Sequence, residues 1–252
     1  MVPPLVQLAN IPLAEGIAAS VQPATSPTAG AEPNKGTEYF MSSLSFNFAS
    51  DNRIAVWALT NTASLNSASP HVKLQHVLLK TKVYEEPFAA QQRVGPTPLG
   101  TLVGDPEEPL SPDDNRMQQV VFSGNLLYSA ITSTIFDGSE FVNGILYFIV
   151  QPDFTSTGKL TAGLKIDDYL TVAGQNLIYP AIGISDDNQD AMVFTPPSLG
   201  RPSSRALRSC GLTKTVPKVR FTLPPRARLP TTDSHHCRHC VYFWASAEAR
   251  FP

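Results

Sequence analysis

Gln118-Gln119-Val120-Val121-Phe122-Ser123-Gly124-Asn125-Leu126-Leu127-Tyr128-Ser129-Ala130-Ile131 is the stretch whose reading sets the fold class. Two runs of β-branched and aromatic residues flank Ser123-Gly124-Asn125. The spacing predicts a β-hairpin closed by a three-residue connection, with the glycine supplying the backbone freedom a tight reversal needs. Towards the N-terminus, Val72 to Val83 is extended in texture, and Arg53 to Thr60 puts Ile54, Val56 and Ala58 on one face and Trp57 and Leu59 on the other. A strand apolar on both sides belongs in the interior. Leu44, Phe46 and Phe48 alternate with Ser and Asn, as in a half-buried strand.

Towards the C-terminus, Gly144 to Val150 predicts a buried strand stopped by Pro152. Leu160–Ile166, Leu170–Val172, Leu177–Ile184 and Ala191–Thr195 follow as further strands. Every apolar run is short, and no window has helical periodicity that outvotes these strands. The fold class is therefore all-β, with antiparallel neighbours joined by short turns. Between Tyr84 and Arg116 lies a long polar stretch with Pro87, Pro96, Pro98, Pro106, Pro109 and Pro112. Loops of that length are commonly functional or disordered.

The 252 residues, 42% hydrophobic and 16% charged, suffice for one domain with a real core. The net charge of −2 conceals a break. Residues 1–200 carry a net −10, whereas residues 201–252 carry a net +8 and hold all three cysteines, Cys210, Cys237 and Cys240. Residues 1–36, rich in Pro, Ala, Ser and Thr, read as a linker. Residues 37–196 form the all-β domain, and 197–252 read as a disordered basic tail rich in Pro and Arg. No run approaches a membrane span, and no signal peptide is visible.

Four blocks carry a family resemblance: Asn52 to Thr62, Gly95 to Gly100, Asp113 to Phe122, and Tyr179 to Gly183. Together they resemble a group of uncharacterised bacterial secreted proteins that look like β-propellers, distantly similar to sialidase-type propellers. The resemblance spans about Glu38 to Thr195 and implies partial propeller-like blades, an extracellular or cell-envelope setting, and a fragment of a longer protein in which Met1 resembles an internal start. It implies no established activity. A binding or structural module is the leading expectation, with a surface polysaccharide or other glycan as partner, and a glycan-active enzyme of sialidase-like descent is the alternative. The residues from Glu38 to Thr195 allow three to four blades, short of a closed circle, so self-association through open sheet edges is expected.

Candidate sites are few. Arg116 beside Asp113 and Asp114 is the best polar constellation for ligand binding, and a loop-fixing ion pair explains it equally well. His235, Cys237, Cys240 and Cys210 count to four zinc ligands, but the second spaced pair of a structural zinc site is missing. Asp186, Asn188 and Asp190 have the spacing with which calcium loops begin, yet Ala191 and Pro197 stand where glycine and a bidentate glutamate are needed. Neither zinc nor calcium is adopted as a cofactor. Asp113, Asp114, Asp167, Asp168, Glu107 and Glu108 are numerous enough for glycosidase chemistry, but most lie in turns. Sialidase-like chemistry would also want an arginine cluster, and only Arg53, Arg93 and Arg116 precede residue 200. No catalytic residue is assigned, and His71 and His76 read as surface or strand residues. Trp57, Tyr84, Phe88, Tyr128, Tyr147 and Tyr179 could make a sugar platform, although strand aromatics are ordinarily packing. The tail's basic residues are too dilute for specific nucleic-acid binding.

Beyond Thr195 the alternation ends abruptly in Pro196-Pro197-Ser198-Leu199-Gly200-Arg201, a mixture a shifted reading frame in a GC-rich gene would produce. The expectation is that genomic DNA holds an intact continuation in another frame; close homologues sharing this tail would refute it.

Overall fold

In the computed structural model of the chain, residues 18–26, 36–44, 50–90, 104, 109–172, 175–184, 190–195 and 209–211 are described. The predicted hairpin is present. Strands β5 (Val120–Ser123) and β6 (Leu126–Phe136) pair antiparallel with Ser123 opposite Leu126. The connection is two residues rather than three, because Gly124 and Asn125 both take left-handed backbone, φ 56° and 61°. That is the pair of conformations whose twist matches the flanking strands.

From this hairpin the chain continues into β7 (Phe141–Phe154) and β8 (Leu160–Leu170), completing a four-stranded antiparallel meander. A second meander precedes it: β1 (Ala19–Thr25), β2 (Glu38–Ser43), β3 (Asp51–Thr60) and β4 (Lys73–Tyr84). The two join edge to edge where β1 runs parallel to β5, pairing Ala24 with Val120 and Thr25 with Val121. The result is one mixed eight-stranded sheet, order β4-β3-β2-β1-β5-β6-β7-β8, nearly closed into a barrel by the packing of β4 against β8. Strands β9 (Ile178–Ile184), β10 (Asp190–Thr195) and β11 (Ser209–Gly211) form a separate antiparallel sheet.

The all-β expectation therefore holds, and several local expectations are corrected. Residues 19–25, inside the stretch read as linker, form β1, and its Pro23 sits opposite Phe40. The one parallel contact departs from all-antiparallel pairing. It follows from the long connection after β4, which returns the chain beside β1 in the same sense. Strand β2 ends at Ser43, so Leu44 lies outside it and Phe46 and Phe48 lie outside the described residues. Pro152 does not stop β7. Past Val150 the strand has no β6 neighbour, so it pairs on one side only there, the edge setting in which a missing N–H is tolerated. Leu160 to Leu170 is a single strand that absorbs Lys165 as a bulge between Ile166 and Leu164. From the basic tail, Ser209–Gly211 pairs with β10.

Residue parity sorts the core. Strand β7 is buried almost throughout: Leu146, Phe148 and Val150 point into the barrel interior, and Ile145, Tyr147 and Ile149 point outwards against the second sheet. The interior also takes Met41, Ile54, Val56, Tyr84, Phe122 and Leu127, so it is a packed core rather than a channel. The outer layer is closed by Leu177, Ile182, Ile184 and Met192, and β9 alternates strictly between buried and exposed residues. Two large buried side chains of the barrel wall have their polar atoms paired. Tyr84 Oη donates to the Arg53 carbonyl at 2.7 Å and accepts the Leu44 N–H at 3.0 Å, while Trp57 Nε1 donates to Ser42 Oγ at 3.1 Å.

The seam between β4 and β8 is bridged by side chains. Asp167 Oδ2 accepts the Lys82 N–H at 2.5 Å, Lys82 Nζ binds Asp168, and Tyr169 Oη donates to the Val83 carbonyl at 2.5 Å. Gln75 adds a bond in each direction, donating to the Gly158 carbonyl at 3.1 Å and accepting the Leu160 N–H at 3.2 Å. The two edge strands of the eight-stranded sheet thus face each other.

Gly144 lies where strands crowd. A Cβ there would meet Ile135 Cδ1 at 2.7 Å and the Leu170 carbonyl at 2.9 Å, whereas one on Gly163 would meet nothing within 4 Å. Gly144→Ala is expected to cost about 1–3 kcal/mol by overpacking, while Gly163→Ala is neutral or slightly stabilising. Urea unfolding of the two variants beside the parent chain checks this, and equal midpoints would refute it.

Candidate functional site

The polar constellation Asp113, Asp114 and Arg116 occupies the segment entering β5. Arg116 Nη2 and Nε reach Asp114 Oδ2 at 2.5 and 2.9 Å, Nε also reaches Oδ1 at 2.7 Å, and the Arg116 N–H donates to Oδ1 at 2.9 Å. Burial pushes the Asp114 carboxyl up, but the hydrogen bonds and charge of Arg116 outweigh that and hold it below its usual value. The Arg116 side chain remains 41% exposed. Asn115 between them is buried, and its Oδ1 has no hydrogen-bond partner.

Strand β9 brings Tyr179 to the same place. Tyr179 Oη donates to the Ser111 carbonyl, and its backbone N–H donates to Thr132 Oγ1 of β6 at 3.2 Å. Burial, and then the Asp113 charge, push the Tyr179 phenol up. Both Asp113, φ 61°, and Tyr179, φ 54°, hold left-handed backbone. For an aromatic residue this is a rare and costly conformation, and such residues gather at functional sites. Gln119 Oε1 accepts the Ile182 N–H at 2.9 Å, fixing the loop to β9 a second time. Two blocks more than fifty positions apart in sequence, Asp113–Phe122 and Tyr179–Gly183, thus meet in the fold.

The remaining sequence candidates disperse. Asp167 and Asp168 are engaged by Lys82 at the seam, away from the Asp114–Arg116 loop in the ladder order. Glu107, Glu108 and Arg93 lie outside the described residues, as do His235, Cys237, Cys240 and Asp186 to Gln189. Cys210 sits in β11 opposite Met192, and Asp190 starts β10 opposite Ile184, so the calcium-like stretch occupies the β9–β10 connection. Among the described residues there is no cluster of three metal-ligating side chains. Trp57, Tyr84, Tyr128 and Tyr147 are core residues, which removes them from any sugar platform, while Phe88 and Tyr179 are exposed. His71 and His76 are exposed, with the His76 ring 5.0 Å from Trp57.

One feature escaped the sequence reading although its signal was available. The tripeptide Asp-Asn-Arg occurs at 51–53 and again at 114–116. Both copies fold into the same clamp: Arg53 Nη2 and Nε reach Asp51 at 2.8 and 2.9 Å, as Arg116 reaches Asp114. Asp51, like Asp114, is pushed up by burial but held low by its arginine. The first clamp lines an open polar recess of about 330 Å³ with Ser50, Asn52 and Val83. Each guanidinium is thus charge-compensated by an aspartate two residues earlier, an arrangement suited to neutral, hydrogen-bonding ligands rather than to stripping an anion from water.

Compared with protein-family models, curated proteins and solved structures, the chain matches none. Among the described residues no helix is long and apolar enough to cross a membrane.

The clamps make acid stability a test. Because the folded chain holds Asp51 and Asp114 below the unfolded value of about 3.9, their contribution is fully present above that pH and is lost as pH falls through the lower folded values. Asp114→Asn is expected to lower stability near neutrality by up to about 1 kcal/mol, since the arginine is well exposed. It is also expected to flatten the loss of stability below about pH 4. Urea midpoints measured across the acid range check this; an unchanged acid slope would count against the clamp.

Proposed function

We propose that the chain is a non-catalytic, all-β binding module working outside the bacterial cell, with a surface polysaccharide or other glycan as partner. The observation carrying this reading is the surface on which Tyr179, strained and exposed, joins the charge-compensated Asp114–Arg116 clamp. An exposed aromatic face beside paired donors and acceptors offers what a hydroxyl-rich, uncharged ring requires. The propeller likeness rests on the four sequence blocks alone, because the eight strands form one continuous sheet nearly closed into a barrel with β4 packed against β8, whereas propeller blades are separate sheets. The sialidase-like alternative has weaker support. Among the described residues its carboxylate-binding arginines would have to come from Arg53 and Arg116, each already bound to its own aspartate.

The purified chain is expected to release no sugar from a panel of fluorogenic glycosides and to be retarded on at least one immobilised neutral polysaccharide. Arg116→Ala or Tyr179→Ala is expected to weaken that retention several-fold. Sugar release abolished by substituting Asp113, or retention indifferent to both changes, would overturn the reading.

A further inference from the structure

We infer that the β6–β7 hairpin carries a second sugar-binding subsite, built on Phe136 and Phe141, which extends the Tyr179 surface into a track for an uncharged glycan chain; this rests on the binding-module reading above. Phe136 and Phe141 are the last cross-strand pair of the hairpin, and they are 58% and 63% exposed with ring centroids 5.3 Å apart. They are the two most exposed large apolar residues among those described. By parity they lie on the outward face of the hairpin, the face that carries Tyr128, Ile145 and Tyr147 under the second sheet. That sheet does not cover them.

The turn that carries them is pinned by hydrogen bonds. Asp137 Oδ1 accepts the Ser139 N–H, the Ser139 hydroxyl and the Glu140 N–H at 2.8, 2.8 and 3.0 Å, and the Asp137 N–H returns to the Glu140 carbonyl at 3.0 Å. Below the tip, buried Asn143 grips the Phe88 backbone through Oδ1 at 3.0 Å and Nδ2 at 2.6 Å, and Phe88 is 41% exposed. Exposed aromatics held in fixed positions lose little entropy on binding, which is what a recognition surface needs.

The track follows one strand. Thr132 Oγ1 accepts the Tyr179 N–H, Thr134 Oγ1 donates to the Glu86 carbonyl beside Phe88, and Phe136 ends the series. These three β6 residues share a face and span about 14 Å, so the segments bearing Tyr179 and Phe88 and the Phe136–Phe141 pair are anchored in that order along it. A linear oligosaccharide has that form; a single sugar does not.

Size and charge select the occupant. The two phenylalanines offer on the order of 200–300 Å² between them, far less than the roughly 800 Å² per partner of a stable protein interface. Asp137 and exposed Glu140 at the tip oppose docking on anionic lipid and on anionic polymers, while Glu140 and Ser139 provide oxygen acceptors beside the rings for sugar hydroxyls.

The test uses the full chain on affinity gels containing cellulose, xylan, β-1,3-glucan, galactomannan or chitin, with hyaluronate as the anionic polymer and phosphatidylglycerol vesicles alongside. The Phe136→Ala/Phe141→Ala double variant is expected to lose at least tenfold in affinity for the retained neutral polymer, and Phe136→Tyr/Phe141→Tyr to keep it, with unchanged melting in both. Retention lost in Arg116→Ala but untouched in the double alanine variant would overturn this subsite and leave the binding-module reading standing. Loss of retention in neither variant, or no retention of the parent chain, would overturn both. Vesicle binding or self-association that disappears in the double alanine variant would assign the hairpin to a membrane or to a second copy instead, and would also overturn the subsite.

Discussion

The two-sided burial of β7 is the constraint on which the rest of the structure depends. A strand with Leu146, Phe148 and Val150 on one face and Ile145, Tyr147 and Ile149 on the other cannot lie on the surface of a single layer. Each face must be covered. The even-numbered residues are covered by the β1–β4 meander folding over, and the odd-numbered residues by β9 and β10. Buried apolar side chains of this size contribute about 1.5–3 kcal/mol each, so β7 with its neighbours outweighs any single polar contact in the molecule.

Covering the inner face brings β4 and β8 together, and there the fold changes its means of cohesion. The backbone ladder that joins the other neighbours of the eight-stranded sheet gives way to side chains: Asp167 and Asp168 on Lys82, Tyr169 on Val83, Gln75 on Gly158 and Leu160. An acidic edge set against a lysine-bearing edge discourages pairing of either with foreign strands, the usual hazard of open sheets. The aromatic face of Tyr169 beneath the Lys82 ammonium, 5.1 Å from the ring centroid, adds to the same contact.

The candidate site is a by-product of this layering. Covering the outer face of β6 and β7 requires β9, and β9 arrives with Tyr179 pointing outwards over the loop that feeds β5. Because β9 is shorter than the hairpin it covers, the far end of β6 and β7 projects, and Phe136 and Phe141 stay in solvent. The Tyr179 surface and the projecting hairpin are therefore two consequences of one packing arrangement. The Asp114–Arg116 clamp rigidifies the loop locally, as Asp51–Arg53 does at the start of β3.

Alternation and turn chemistry alone were enough to reveal the all-β class, the β5–β6 hairpin and the two-faced character of β3, since each is a property of residues adjacent in the chain. The Asp114–Arg116 clamp was equally legible, being an i, i+2 contact, and its twin at 51–53 was written in the same letters. Other features belong to neighbours distant in sequence. That Pro23 sits in a strand, that β1 meets β5 in parallel, and that Tyr84 and Tyr147 are core while Phe136 and Phe141 are exposed were decided only in three dimensions. A strand's pattern states which of its faces are apolar, but the free energy of burial is set by what the rest of the chain lays against them.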